Sequence, residues 1–117
     1  MTDENKLKGA QQRQHFRIKF PDPERPLFTH KEKGYLVIDA AEEGLAISIE
    51  EGDPIGTFTG IIKGSIKFKD KESCNIVGKV LRTAPNAVVL KLSIGIPLAT
   101  IMKQQRILLQ KYGQIGG

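Results

Sequence analysis

The spacing of apolar residues changes once along this chain, after Pro97, and this change constrains the fold more than any other feature. Before Pro97, short apolar segments alternate with turn signals at close intervals, which is typical of antiparallel strands. After it, apolar residues recur at helical spacing across residues 98–112. The sequence therefore predicts six or seven short strands followed by one helix.

The first predicted strand alternates strictly: Phe16, Ile18 and Phe20 point inward, so Arg17 and Lys19 should face solvent or a ligand. The prolines that follow it mark a loop. An acidic turn is predicted at residues 39–44, and a charged hairpin loop at residues 69–73. The further strands are predicted at residues 27–33 (an edge strand), 35–38, 45–49, 57–68 (bent near Gly60 or Gly64), 74–82 and 88–92.

The predicted helix is amphipathic, and we expect its apolar face to pack on the core. Lys111 in its last turn and Gly113 directly after it suit a helix C-terminus. Together with the strands, this helix predicts a mainly β fold: a small antiparallel barrel or sandwich, closed at one end by the C-terminal helix. The apolar face comprises Leu98, Ile101, Met102, Leu108, Leu109 and Tyr112.

One domain accounts for the 117 residues. Residues 1–12 are polar and predict a flexible arm, and residues 13–113 form the predicted domain. The formal net charge of +5 favours an anionic partner, although an ordinary soluble protein can carry the same excess. Because no apolar run approaches the roughly 20 residues that span a bilayer and no apolar leader is present, we expect a cytoplasmic protein without membrane insertion.

The residue types that support catalysis or metal binding lack the spacing they need. The single cysteine, Cys74, has no thiolate partner, and His15 and His30 are not at helical spacing, so no metal site is expected. The serines have no supporting base motif, and neither a Walker loop nor a GxGxxG motif is present. We therefore do not expect an enzyme.

Arg13 and Arg17 are four residues apart, at the start of the first predicted strand. On a helix or on a strand, this spacing places both side chains on one side. A guanidinium group can bind two phosphate oxygens at once, and it also fits the O6 and N7 edge of guanine. The pair could hold one anion, although a solvated basic arm is the simpler interpretation when the pair is taken alone.

The acidic turn from Asp39 to Gly44 offers a complementary group. The Asp39 carboxylate can accept hydrogen bonds from N–H groups, and the N1 and N2 edge of guanine provides two of them. Gly44 permits a positive φ or a close backbone approach. Taken alone, this segment is also explained by an ordinary acidic hairpin turn.

An Arg-x-x-x-Arg segment followed by an Asp-x-Ala-x-x-Gly turn between strands resembles the PilZ domain family. The resemblance extends from about residue 10 to residue 113, and it includes the strand Gly78–Arg82, the strand Val88–Leu92 and the final helix. It implies a six-stranded barrel that acts as a receptor for the bacterial second messenger cyclic di-GMP, in signalling linked to motility and biofilms. No cofactor besides this ligand is implied.

The resemblance also assigns ligand-binding roles to individual residues. Arg13 and Arg17 match the arginines that grip phosphate and guanine edges, and Asp39 and Gly44 match the turn that holds a guanine. Arg82 falls where the family often stacks a side chain on a guanine.

Two positions depart from the family pattern. Ala41 stands where the family usually has serine, and the lost hydroxyl hydrogen bond is worth about 0.5–1.5 kcal/mol, a several-fold loss of affinity. Gln12 stands where some relatives carry another basic residue, and this difference could weaken binding or alter the number of bound ligands.

The receptor hypothesis includes ordering of the N-terminal arm by the ligand and signalling to a downstream protein partner. One alternative is a PilZ-like adaptor in pilus assembly or motility that binds no nucleotide. A more remote alternative is a nucleic-acid-binding barrel, which would need exposed aromatic residues on a basic face. Since Phe16, Phe20, Phe58 and Phe68 mostly occupy inward positions, no specific nucleic acid is expected.

Overall fold

The computed structural model describes residues 17–50 and 58–113. The predicted arm, Arg13 and Phe16 lie outside these ranges. The described elements are β1 (Ile18–Lys19), a 3-10 turn (Asp22–Glu24), β2 (Leu27–His30), β3 (Lys33–Ala41), β4 (Gly44–Ser48), β5 (Ile62–Lys67), β6 (Ser73–Ala84), β7 (Ala87–Ile94) and α1 (Leu98–Tyr112).

Six of these strands close into an antiparallel barrel in the order β3–β2–β5–β6–β7–β4, with β4 pairing again with β3. The long strand β3 makes closure possible, because its first half pairs with β2 and its second half pairs with β4. The extra strand, β1, pairs with β3 through Ile18 opposite Ala40 and Lys19 opposite Asp39. The predicted mainly β barrel is thus confirmed, and the closed sheet excludes the sandwich.

Alternation along the strands fills the barrel with aliphatic and aromatic side chains. In β1, Ile18 is buried and Lys19 is exposed, as the alternating pattern predicts. Ile101 and Leu108 of α1 belong to the same core. The fully buried residues include Phe28, Val37, Ile47, Ile62, Ile66, Val88 and Leu90.

Three details of the predicted strands are wrong: one edge assignment and two boundaries. The strand β2 is not an edge strand, because it pairs with β3 on one side and with β5 on the other. Residues 39–41 continue β3, so the predicted six-residue turn contains only Glu42 and Glu43 outside the strands. Of the strand predicted at residues 57–68, residue 57 lies outside the described residues, and the described strand begins only at Ile62, after Gly60 with a φ of 65°.

The helix at residues 98–112 is confirmed, together with its C-terminal signals. Gly113 has a φ of 74°, and its N–H donates to the carbonyl of Leu109 at 2.8 Å. The prediction for its apolar face is wrong in part, because Leu98, Met102, Leu109 and Tyr112 are each 40–44% exposed. Within residues 17–50 and 58–113, no helix has the length and apolar character needed to cross a membrane.

Candidate functional site

A cleft of about 400 Å³ opens on the outer side of the barrel, where β3, β4, β6 and β7 lie side by side. Its volume falls within the range of about 300–1,000 Å³ that is usual for small-molecule sites. Four residues selected from the sequence line it: Arg17, Ala41, Gly44 and Arg82. The remaining lining residues are Glu42, Glu43, Leu81, Val89, Leu90 and Lys91.

The two sequence motifs meet because β1 pairs with the second half of β3. This pairing places Arg17 next to Asp39, with the arginine Nη1 atom 3.7 Å from the carboxylate Oδ1 atom. The aspartate side chain is only 13% exposed, whereas the Arg17 side chain is 53% exposed. The arginine can therefore turn toward a ligand, and the aspartate is held in place by the sheet. Arg13 lies outside the described residues.

A bulge in β3 directs Asp39 outward. Residues two apart in a regular strand point the same way, and Val37 is in the core, so Asp39 would point inward as well. The register with β4 shifts between Val37 and Asp39, which makes Ile38 an extra residue. As a result, Ala40 enters the core at 1% exposure, and Asp39 faces the outer side.

A second bulge, in β6, does the same for Arg82. Val80 packs against the core, so Arg82 would also point inward in a regular strand. The register with β7 shifts between Val80 and Arg82, which makes Leu81 the extra residue. Arg82 is therefore exposed and lines the cleft.

Strand register arranges the outer side of this region in two rows, each crossing β3, β4, β7 and β6. Ala41, Gly44 and Val89, which line the cleft, form its shallow floor, because alanine, glycine and valine project little above the sheet. The aspartate lies at the β3 end and cationic side chains lie on β6 and β7. The rows are Asp39–Ala46–Val89–Arg82 and Ala41–Gly44–Lys91–Lys79.

Gly44 contributes to this floor by lacking a side chain. Its φ is not positive, so the backbone does not require glycine there, contrary to one of the two explanations that the sequence offered. An added Cβ would meet only the Leu90 carbonyl oxygen, at 3.9 Å. Any cost of a side chain at this position would therefore fall on a molecule bound in the cleft rather than on the barrel.

The Glu42–Glu43 turn, which borders the cleft, is held by backbone hydrogen bonds. The Glu42 carbonyl accepts a hydrogen bond from the Ile96 N–H at 3.0 Å, and the Glu43 carbonyl accepts one from the Leu92 N–H at 2.9 Å. Gly95 packs so closely against the Glu42 carbonyl that a Cβ there would overlap it. The Glu42–Glu43 turn is thus tied to the segment that leads into α1.

The sequence did not indicate Lys91, although it lines the cleft beside Arg82. Its position depends on the register of β7 with β4, where Lys91 is opposite Gly44. The outward alternation of Lys91 in its strand is visible in the sequence, but its neighbours across the sheet are not.

A second cleft, of about 570 Å³, lies between the β1 region and α1. It is lined by residues 17–21 and by Gln105 and Leu108, and Arg17 belongs to both clefts. Apart from Arg17, no residue selected from the sequence lines this cleft, because its walls come from segments far apart in the chain.

Comparisons with known proteins add no further constraint: no protein-family model matches the sequence, and no curated protein matches it. Within the described ranges, no group of three or more His, Cys, Asp and Glu side chains is arranged to hold a metal ion. The charged side chains that line the cleft are those of Arg17, Glu42, Glu43, Arg82 and Lys91.

Proposed function

We propose that this protein is a receptor that binds cyclic di-GMP in the cleft between β1 and β6. The observation that supports the proposal is the meeting of the two motifs: Arg17 lines the cleft together with Ala41 and Gly44, and it pairs with Asp39. An exposed guanidinium and a largely buried carboxylate therefore lie side by side at the edge of the cleft. This arrangement, together with the resemblance to the PilZ family, favours a nucleotide ligand.

Each group has a distinct task in the proposed complex. The Arg17 guanidinium binds a phosphate or the O6 and N7 edge of a guanine. The Asp39 carboxylate accepts from the guanine N1–H and N2–H groups, which a carboxylate can do with both oxygens. The flat guanidinium of Arg82, exposed across the floor, stacks on the second guanine.

Arg13 would add a second guanidinium from the chain that precedes Arg17. Since Arg17 is itself part of the cleft, a ligand there lies close to the point where the predicted arm joins the barrel. We therefore expect binding to order the arm, which changes the surface offered to a downstream protein partner.

Isothermal calorimetry with cyclic di-GMP tests this proposal directly, with GTP and cyclic GMP as controls. We expect heat of binding for the cyclic dinucleotide, at a concentration where neither control binds. Absence of heat at high micromolar cyclic di-GMP would refute the receptor proposal.

One observation favours the second candidate, an adaptor that acts through protein contacts alone. The helix α1 exposes apolar side chains, including those of Met102 and Leu109, and it also contributes Gln105 and Leu108 to the second cleft. A partner that binds there would not need the nucleotide, and Ala41 is one of the residues that would weaken nucleotide binding. Pull-down with and without cyclic di-GMP distinguishes the two candidates, because an adaptor captures the same partner in both.

The nucleic-acid alternative has less support. The phenylalanines within the described ranges, Phe20, Phe28, Phe58 and Phe68, are all buried, so they provide no platform for stacked bases. Salt-dependent binding to oligonucleotides without preference for the cyclic dinucleotide would favour it.

A further inference from the structure

Two lysines beside the cleft occupy an unfavourable position for a stable sheet. Lys79 of β6 and Lys91 of β7 are directly opposite each other, and both are exposed on the outer side. Like charges directly opposite in an antiparallel pair destabilise it. In the part of the chain that the structure describes, neither lysine forms an ion pair with a carboxylate.

The same two lysines continue the row that forms the cleft floor. Lys91 lines the cleft and is opposite Gly44. Because glycine has no side chain, the Lys91 ammonium group can extend over the floor. With strands about 4.8 Å apart, the row from β3 to β6 spans about 14 Å. The lysine pair and Arg17 therefore lie at different ends of the floor, far enough apart to contact different phosphates.

The cleft also contains two carboxylates, those of Glu42 and Glu43, at the turn between β3 and β4. These repel an anion, and their turn is flanked by Ala41 and Gly44 of the same row, so the phosphate position should lie toward the β6 end of that row. Lys79 lies on that side, one strand beyond Lys91.

We infer that Lys79 and Lys91 form a second phosphate-binding position, distinct from the one at Arg17. The inference rests on the proposed function, because it assigns the pair to a phosphodiester of cyclic di-GMP. That phosphodiester can belong to the same ligand molecule that Arg17 binds or to a second one. In both cases the anion relieves the repulsion between the lysines, which act on phosphate as compact point charges.

A phosphate-binding lysine pair can be distinguished from structural lysines, because its removal should change stability and ligand affinity in opposite directions. Lys91→Gln and Lys79→Gln should each raise the melting temperature of the free protein by about 1–3 °C, because the repulsion is removed. The same substitutions should weaken cyclic di-GMP binding about fivefold and reduce its salt dependence. Stability and affinity thus change in opposite directions.

Two further variants complete the experiment. Lys67→Gln is the matched control, because Lys67 is an exposed strand lysine with Ser73 opposite it rather than a cation. It should leave both melting temperature and affinity unchanged. Lys91→Arg keeps the positive charge and should retain most of the affinity.

Calorimetric stoichiometry separates the two sources of the phosphate. A lower affinity at unchanged stoichiometry in Lys91→Gln indicates one ligand that spans both positions, and a reduced stoichiometry indicates a second ligand molecule. Wild-type binding together with unaltered affinity in both lysine variants would overturn the inference and leave the proposed function standing. If the wild-type protein binds no cyclic di-GMP, both proposals fail.

Discussion

The hairpin loop between β5 and β6 and the basic side of the cleft are both charged surfaces, but they manage charge in opposite ways. In the hairpin, Asp70 and Glu72 receive hydrogen bonds from the Gln104 side chain at 3.1 and 3.2 Å, and Glu72 receives another from Thr100 at 3.1 Å. The Lys103 ammonium lies 3.3 Å from Asp70. We call this set the helix clamp.

In the cleft, by contrast, two lysines face each other and Arg82 has no carboxylate partner among the described residues. A surface whose charges are already paired has little to offer a ligand, and its groups serve to attach α1 to the barrel. A surface that keeps like charges adjacent gives up some stability, which binding of an anion would restore. The difference predicts that clamp variants change stability alone and cleft variants change binding.

The largest effect is expected for the ion pair that joins the motifs. Arg17→Ala and Asp39→Ala each remove a charged hydrogen-bonding group from the proposed complex, and each should weaken cyclic di-GMP binding about 10- to 100-fold. In Arg17→Ala the melting temperature should change little, because the Arg17 side chain is 53% exposed and ion pairs of exposed groups contribute little to stability. Calorimetry and thermal unfolding measure the two effects.

Arg106→Ala is the control for this pair of variants, since Arg106 is exposed on α1 and lines neither cleft. Wild-type affinity in Arg17→Ala would show that the cleft is not the nucleotide site.

The helix clamp should give the converse result. Gln104 is 5% exposed and donates to both hairpin carboxylates, so Gln104→Ala should lower the free energy of unfolding by about 1–3 kcal/mol. Its ligand affinity should equal that of the wild type. Gln110→Ala, at an exposed position of the same helix, is the control for helix propensity. A loss of affinity in Gln104→Ala without a loss of stability would contradict the division between the two surfaces.

A smaller effect should appear as a pH dependence of stability. Hydrogen bonds from Lys111 at 2.7 Å and from Tyr112 at 2.9 Å hold the pKa of Glu24 below its ordinary value of 4.5. Burial raises the pKa of Asp70, but hydrogen bonds from the Glu72 N–H, Gln104 and Lys103 outweigh it and keep that pKa below 3.8.

Both carboxylates bind protons less readily in the folded chain than in the unfolded chain, so their contribution is present above about pH 4.5 and is lost as the pH falls further. Glu24→Gln should therefore cost more stability at pH 7 than at pH 3, measured by urea unfolding at each pH. The exposed Glu32→Gln is the control, and equal costs at both pH values in Glu24→Gln would contradict the prediction.

The strands and the helix could be predicted from the sequence, but the direction of the charged side chains on these two surfaces could not. Apolar periodicity was enough to predict the strands and the helix, because a buried face leaves a direct trace in the residue order. A bulge leaves none: Ile38 and Leu81 are apolar residues within apolar strands, and nothing marks either as the extra one. The outward direction of Asp39 and Arg82, and the opposition of Lys79 and Lys91, depend on pairing between distant strands.

The smallest expected effect tests Ala41, the position at which the sequence differs from the PilZ motif that it resembles. Ala41 lines the cleft and is opposite Gly44, so a hydroxyl added there would project over the floor next to Asp39. Ala41→Ser should strengthen cyclic di-GMP binding about 2- to 12-fold, the value of one net hydrogen bond. Stability should stay within about 0.5 kcal/mol of the wild type, because the site is at the barrel surface.

Ala84→Ser, in an exposed strand position away from the cleft, is the control. Equal affinity in Ala41→Ser and the wild type would mean that the ligand does not reach the Ala41–Gly44 end of the floor, which would move the binding position toward Arg82 and the lysine pair.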